Sequence, residues 1–294
     1  MNWFAKYIQK KPLIVVVCGP TATGKSDYAV DLALKYNGEV VSADSRQVYR
    51  GMNLGSGKIT QKEMRGVPHH LLDVVDCKNI YSVAQYKNDA ENAIIDIVAR
   101  KKTPIICGGT GYYIDALLYN KYFSNVTPNQ HLRKELSKKP LSELQNILQA
   151  SDPVRFKSID IYNKVRLIRA IEIIESIGKV PKTKRRLRKD WHIQIEYIDK
   201  DDEVLKKRIA KRVHVRLDDG MVEEVKRLHA KGVTYERLEQ FGLEYKYIAL
   251  YLQEKITYEE MINQLIIAIG QYAKRQRTWF KKYLPKQKSK SYVQ

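Results

Sequence analysis

The sequence predicts an α/β protein: a parallel sheet flanked by helices, with an all-helical domain inserted into it. Three observations carry that expectation. An apolar run, Leu13 to Cys18, stops abruptly in the loop GPTATGKS. Further runs of strand length, Glu39 to Ala43 (EVVSA) and Pro104 to Thr110 (PIICGGT), alternate with helical patterns, as strands of a parallel sheet do. From about Lys121 to Asp190 the strand-like runs stop and the pattern turns helical, before Ile193 to Tyr197 (IQIEY) reads as a returning strand. The expected division is a core of residues 1–120 and 190–294 around an insertion of residues 121–189.

The first strand leads into Gly19, Pro20, Thr21, Ala22, Thr23, Gly24, Lys25 and Ser26, a match to the phosphate-binding pattern G-x-x-x-x-G-K-[ST]. Such a loop must turn successive backbone N–H groups inward around an anion, which glycine permits. Lys25 can then meet a terminal phosphate, Ser26 can offer its hydroxyl to Mg²⁺, and the helix of residues 27–36 points its positive end at the ligand. The core is therefore expected to be a P-loop NTPase-like sheet. The loop specifies a polyphosphate without saying which.

Composition narrows the partners. With 294 residues and 44% hydrophobic content the chain fills a real core, so a disordered chain is excluded. A net charge of +20 and a pI near 9.6 point to a polyanion larger than one loop's ligand, nucleic acid first and an anionic membrane second. No apolar run reaches the ~18 residues of a spanning helix, and the N-terminus lacks a signal-peptide pattern. Cys18, Cys77 and Cys107 form no CxxC pair and read as buried thiols of a reducing cytoplasm.

After a short basic lead-in, the second strand runs directly into Asp44, Ser45, Arg46 and Gln47. Ligands of open α/β sheets sit beyond the carboxyl ends of the strands, so Asp44 should emerge on the rim that carries the P-loop. The competing reading is that Asp44 and Ser45 only cap a helix. Val48 to Lys58 is expected to be irregular, and His69 and His70 to be hydrogen-bonded rather than a metal pair. Ser82 is the expected N-cap of the next helix, and the strand after it brings Gly108, Gly109 and Thr110 to the same rim.

Residues 121–190 carry 17 Lys and Arg against 7 Asp and Glu, a net of +10, so half the chain's excess charge sits in about a quarter of its length. A solvated charge run is the ordinary explanation of a stretch such as Lys179 to Lys189. Clustering in one helical segment favours phosphate neutralisation instead. Arg166 and Arg169 fall on one helix face, and Gly178 is the expected stop of that helix. Beyond the returning strand, Arg208 and Arg212 at i, i+4 could present two cations to a pyrophosphate or form surface ion pairs. Thr257 and Glu260 predict a capping box for a helix reaching about Tyr283, whose YAKRQRTWF interleaves cations and aromatics.

GPTATGKS, VVSADSRQVYRGMNLGSGK, PHHLLDVVD, YSVAQY, PIICGGTGYYIDALL, RLIRAIE and YAKRQRTWF, in this order over residues 13–282, resemble the tRNA dimethylallyltransferases, or tRNA isopentenyltransferases. That family transfers the dimethylallyl group of dimethylallyl diphosphate to the exocyclic N6 amine of the adenosine beside the anticodon, using Mg²⁺, a P-loop core and an inserted helical domain that grips the anticodon stem-loop. The resemblance implies that the P-loop holds a prenyl diphosphate, with Lys25, Ser26-bound Mg²⁺ and Arg212 stabilising the leaving group. It implies Asp44 as the base, Thr110 near the transferred group, and Asp44 to Gln47 with Thr110 in contact with tRNA. It also implies that Arg133, Val165, Arg166, Leu167, Ile168 and Arg169 contact the stem-loop. A cytoplasmic, monomeric enzyme is expected, and one of bacterial type because no Cys/His zinc finger follows the core.

Two departures from the family pattern stand out: Gly55-Ser56-Gly57-Lys58, where Gly-Thr-Ala-Lys is commoner, and FGLEYKY over Phe241 to Tyr247. The rival readings are an adenylate isopentenyltransferase acting on free nucleotide, a small-molecule P-loop kinase, and an RNA-binding protein with a vestigial loop. A mononucleotide or small acceptor needs no +10 insertion, and intact Lys25, Ser26 and Asp44 disfavour a vestige.

Overall fold

The computed structural model describes residues 11–120, 123–124, 126–181, 186–284 and 292–293. The lead-in 1–10, residues 182–185 of the basic run and the 285–291 part of the tail lie outside the described residues. Two units are present, residues 1–120 with 187–294, and residues 121–186.

In the first unit β1 (Leu13–Cys18) is the buried centre of the sheet, with Ile14 to Cys18 wholly inaccessible. Both faces are covered, which is why this strand reads as a continuous apolar run. The loop after it leads to α1 (Lys25–Lys35), β2 (Gly38–Ser42), the short α2 (Gln61–Met64) and β3 (His69–His70). Then follow α3 (Val83–Ala99), β4 (Thr103–Gly108) and α4 (Gly111–Leu118). Among the described residues the sheet has six strands in the order β3-β2-β4-β1-β5-β6, all pairs parallel, with β5 (His192–Ile198) and β6 (Tyr292–Val293) supplied after the second unit. The predicted α/β class is the observed one.

Alternation along β1 sends Ile14, Val16 and Cys18 to one face and Val15 and Val17 to the other. The first set packs on α3 and α4, the second on Ala29, Val30 and Ala33 of α1. Ser82 is the expected N-cap of α3, and it closes a capping box with Gln85. The C-terminal part holds five helices: α9 (Asp202–Asp218), α10 (Met221–Ala230), α11 (Tyr235–Phe241), α12 (Leu243–Leu252) and α13 (Tyr258–Tyr283). They share a core with Val48, Tyr49 and Met52 of the segment after β2. Thr257 and Glu260 cap α13 reciprocally. No helix among the described residues is long and apolar enough to cross a membrane.

The second unit holds α5 (Gln130–Lys138), α6 (Leu141–Ser151), α7 (Pro153–Phe156) and α8 (Lys164–Ile177). They close around Leu136, Leu144, Leu148, Leu167 and Ile171. Gly178 ends the last of them in a left-handed conformation, φ +79°, as the sequence predicts. The first unit resumes at Leu187, three residues before the expected boundary. Arg188 explains why: its N–H donates to Leu118 O at 2.8 Å, and its guanidinium pairs with Asp190 and Glu91 and lies 3.7 Å from the centre of the Trp191 ring. That charge is consumed within the core.

Candidate active site

The carboxyl ends of β1, β2 and β4 open on one cavity of about 960 Å³, which holds Thr21 to Ser26, Asp44 to Gln47, Gly108, Gly109 and Arg212 in its walls. Gly19 and Pro20 form the base of the loop. Gly19 has φ +147°, and a Cβ there would stand 1.9 Å from the carbonyl oxygen of Ile198 on β5, so only glycine fits. Gly24, φ +92°, turns the chain into α1. Thr23 braces the loop by donating to Pro20 O at 3.0 Å.

Two cations meet at this loop. The Lys25 ammonium donates to Pro20 O, and burial, with the nearby Arg212 cation, pulls its pKa from 10.5 down to about 8. Arg212 donates to Thr21 Oγ1 at 2.8 Å, and burial, with Arg216 beside it, pulls its pKa down to about 10. A site that disfavours its own positive charges is one that gains from an anion. Arg208 also lines the wall. Ser26 is exposed in the first turn of α1, and among the described residues no group of three or more His, Cys, Asp or Glu could hold a metal ion.

The segment after β2 folds back on itself. Asp44 Oδ1 accepts from the N–H groups of Arg46 at 2.8 Å and Gln47 at 3.4 Å, while Oδ2 accepts no hydrogen bond from the described residues. Thr110, the N-cap of α4, does not line the cavity; it takes the Ser45 N–H on its hydroxyl at 3.0 Å. Gln47 bonds Ser42 and Gly57 O, and Arg46 donates to Phe241 O at 2.6 Å. The helix-cap alternative for Asp44 does not hold, since no helix starts there.

Arg133 and Val165 to Arg169 lie in the second unit. Arg133 and Arg169 both bond the buried Glu172 carboxylate, whose pKa burial raises but whose two arginine partners hold below the ordinary value. Val165 is 77% exposed, and Arg166 points outward with Asp160 at 3.7 Å. Leu167 is a correction: it is wholly buried in the helical core, so its side chain offers nothing to a ligand at the surface. Ile168 packs against the same core. His70 bonds Glu39 at 2.7 Å and His69 bonds Val67 O at 2.9 Å, as expected of non-metal histidines.

Sequence reasoning missed several wall residues. Gln276 of α13 bonds Thr21 and Gly109. The two departures from the family pattern prove to be one feature. Arg216 pairs with the buried Glu244 at 3.5 Å, and a Cβ at Gly57 (φ +60°) would stand 1.9 Å from the Arg216 guanidinium. A Cβ at Gly55 would likewise stand 2.6 Å from the Tyr245 ring. The available signal was the coincidence of the two departures, without any indication that they touch.

Residues 47–283 match the sequence profile of the IPP transferase family. A tRNA dimethylallyltransferase 2 of Treponema denticola is 46% identical over 272 residues, covering 91% of both chains. The like-named protein of Shewanella sediminis is 42% identical over 271 residues, 92% of this chain and 89% of its own. Among solved structures, the tRNA isopentenylpyrophosphate transferase of Bacillus halodurans superposes with a TM-score of 0.69 at 35% identity, covering 94% of this chain and 88% of that one. A eukaryotic dimethylallyltransferase acting on tRNA gives 0.80 at 29% identity, covering 92% and 70%. With a P-loop rim of this geometry and relatives this close along nine-tenths of its length, the chain belongs to the IPP transferase family.

Proposed function

We propose that this protein transfers the dimethylallyl group of dimethylallyl diphosphate to N6 of the adenosine beside the anticodon in tRNA, releasing diphosphate. The observation that carries this is the pairing, on one rim, of two part-buried cations at a P-loop with a carboxylate oxygen of Asp44 that accepts no hydrogen bond from the described residues. One half suits a diphosphate and the other a proton.

The balance of the reaction assigns the parts. The N6 lone pair forms a bond to C1 of the donor as the C1–O bond breaks, and the diphosphate leaves with that electron pair. An aromatic amine is a poor nucleophile, so its proton must go to a base, and in this reading Asp44 Oδ2 takes it. The growing negative charge falls to Lys25, the loop amides and Arg212. Thr110 holds Ser45 and with it the Asp44 turn. Mg²⁺ fits the donor set: Ser26 would contribute its hydroxyl, and the remaining ligands would be diphosphate oxygens and water, which suits this ion's preference for few protein ligands. When bound it neutralises diphosphate charge. The reaction occurs in the cytoplasm, and the basic second unit, with Arg166 and Val165 at its surface, meets the anticodon stem-loop.

Incubation with labelled dimethylallyl diphosphate and, in parallel, unmodified tRNA, AMP, or a panel of small kinase acceptors with ATP tests this reading. Label should enter tRNA. Prenylation of AMP alone, or phosphoryl transfer from ATP, would refute it.

A further inference from the structure

Among the buried residues of α13, which are Met261, Leu265, Ile269, Ala273, Gln276 and Phe280, only Gln276 is polar. It is 6% exposed, and a buried carboxamide without partners is costly. Both its ends are used. Oε1 accepts from Thr21 N–H at 2.9 Å, and Nε2 donates to Gly109 O at 2.8 Å. The partners fix the orientation of the amide, because a backbone N–H can only donate and a carbonyl can only accept.

These partners belong to the two halves of the reaction. Thr21 is the P-loop residue whose hydroxyl takes Arg212. Gly109 precedes Thr110, which holds Ser45 beside Asp44. α13 presses directly on this junction: a Cβ at Gly109 would stand 2.3 Å from Gln276 Nε2, and one at Gly111 would stand 2.3 Å from Trp279.

We propose that Gln276 is a positioning residue that sets the separation between the diphosphate cradle and the acceptor rim. The inference rests on the prenyl-transfer reading above. The donor carbon must lie between a leaving group held by the loop and an amine held near Asp44. A rigid planar amide bonded to both sides fixes that span, whereas each substrate could still bind its own half if the span relaxed. A misplacement of ~1 Å can cost ~10²-fold in rate.

The test uses the full protein, labelled dimethylallyl diphosphate and unmodified tRNA, with single-turnover rates and separate dissociation constants for each substrate. Gln276→Met keeps the length and removes both polar ends; the single-turnover rate should fall roughly tenfold to a hundredfold, with each dissociation constant within about threefold of wild type. Gln276→Glu supplies a reversible form of the same change. A protonated carboxyl can accept from Thr21 and donate to Gly109, whereas an ionised one loses the second bond. Lys25, Arg212 and Arg275 of one sign and Asp44 and Glu244 of the other line the surrounding cavity. They act on the introduced carboxyl together with burial, and all of them are present in both proteins, so their own effects on the rate cancel in a ratio. The rate of this variant relative to wild type should rise severalfold as pH falls from about 8 to about 6. Dissociation constants that weaken as much as the rate, or a ratio flat with pH, would overturn the inference. So would loss of the helical circular dichroism in either variant, which would make Gln276 a folding residue. A wild-type protein that leaves tRNA unlabelled would instead refute the reaction itself.

Discussion

Lys25 makes the sharpest prediction, because its proton affinity should change when the donor binds. In the free protein burial, reinforced by Arg212, holds its pKa at about 8 against an ordinary 10.5. At 1.36 kcal/mol per pH unit, the charged form is disfavoured by on the order of 3 kcal/mol. A diphosphate beside the ammonium reverses the balance and returns the group toward its ordinary value. At about pH 9 the free site is roughly one-tenth protonated and the occupied one more than nine-tenths, so binding should draw in roughly 0.9 proton. The sign follows: the donor selects the protonated form, affinity is level below about pH 8, and it then falls about tenfold per unit. Titration calorimetry of dimethylallyl diphosphate without tRNA, in two buffers of different ionisation heat, measures that proton directly. Lys25→Gln should bind more weakly and take up none. Equal heats in both buffers at about pH 9, or an affinity unchanged to about pH 10, would show that Lys25 does not meet the diphosphate.

Further expectations test other parts. Asp44→Asn keeps an acceptor oxygen for the N–H groups of Arg46 and Gln47 but cannot take a proton, so single-turnover transfer should fall by roughly 10²–10⁴ while tRNA binding in a filter assay stays nearly unchanged. Gly19→Ala would drive a methyl into the Ile198 carbonyl and should lower the melting temperature and donor affinity together. In the second unit, Glu172→Gln weakens the bonds to Arg133 and Arg169 and should cost about 1–3 kcal/mol by denaturant titration. Because the folded pKa of Glu172 is depressed, its contribution is present above about pH 4.5 and disappears as pH falls through the folded value.

The parts of the site legible in the sequence are those whose chemistry is local. Gly19 to Ser26 are consecutive, and Asp44 and Thr110 each directly follow a strand whose apolar run announces it. Gln276 was not legible, because its partners lie 255 and 167 residues away. The chain alone shows only a polar residue on an apolar stripe at i+3 from Ala273, where a surface position was equally possible. The Arg216–Glu244 pair was hidden for the same reason, since neither residue type signals burial. Leu167 failed differently. A contact assigned to five consecutive residues ignores that a helix turns about 100° per residue, so the run from Val165 to Arg169 must send some side chains inward. Leu167 is the residue of that run buried in the helical core, with Ile168 packed against the same core. The compact unit resumes at Leu187 rather than at Asp190 because Arg188 spends its charge on Glu91 and Asp190 instead of displaying it.

A P-loop that serves carbon–oxygen cleavage must favour the departing diphosphate over the bound donor, since equal binding of both would not raise the rate. In the proposed reaction Lys25 and Arg212 would meet this requirement through their surroundings. Each is a cation whose charge burial disfavours, so each gains most from the state in which the neighbouring anion is most negative. That state is reached as the C1–O electron pair passes to the diphosphate. Arg212 differs from Lys25 in being tied to Thr21, and through Thr21 to Gln276, so its position along the span is fixed before the donor arrives. Arg212→Gln should accordingly depress kcat more than it raises KM for the donor, with a kcat loss of about 10²-fold or more in steady-state transfer to tRNA. A variant whose loss falls wholly on KM would place Arg212 in ground-state binding alone, and the leaving-group role would pass to Lys25.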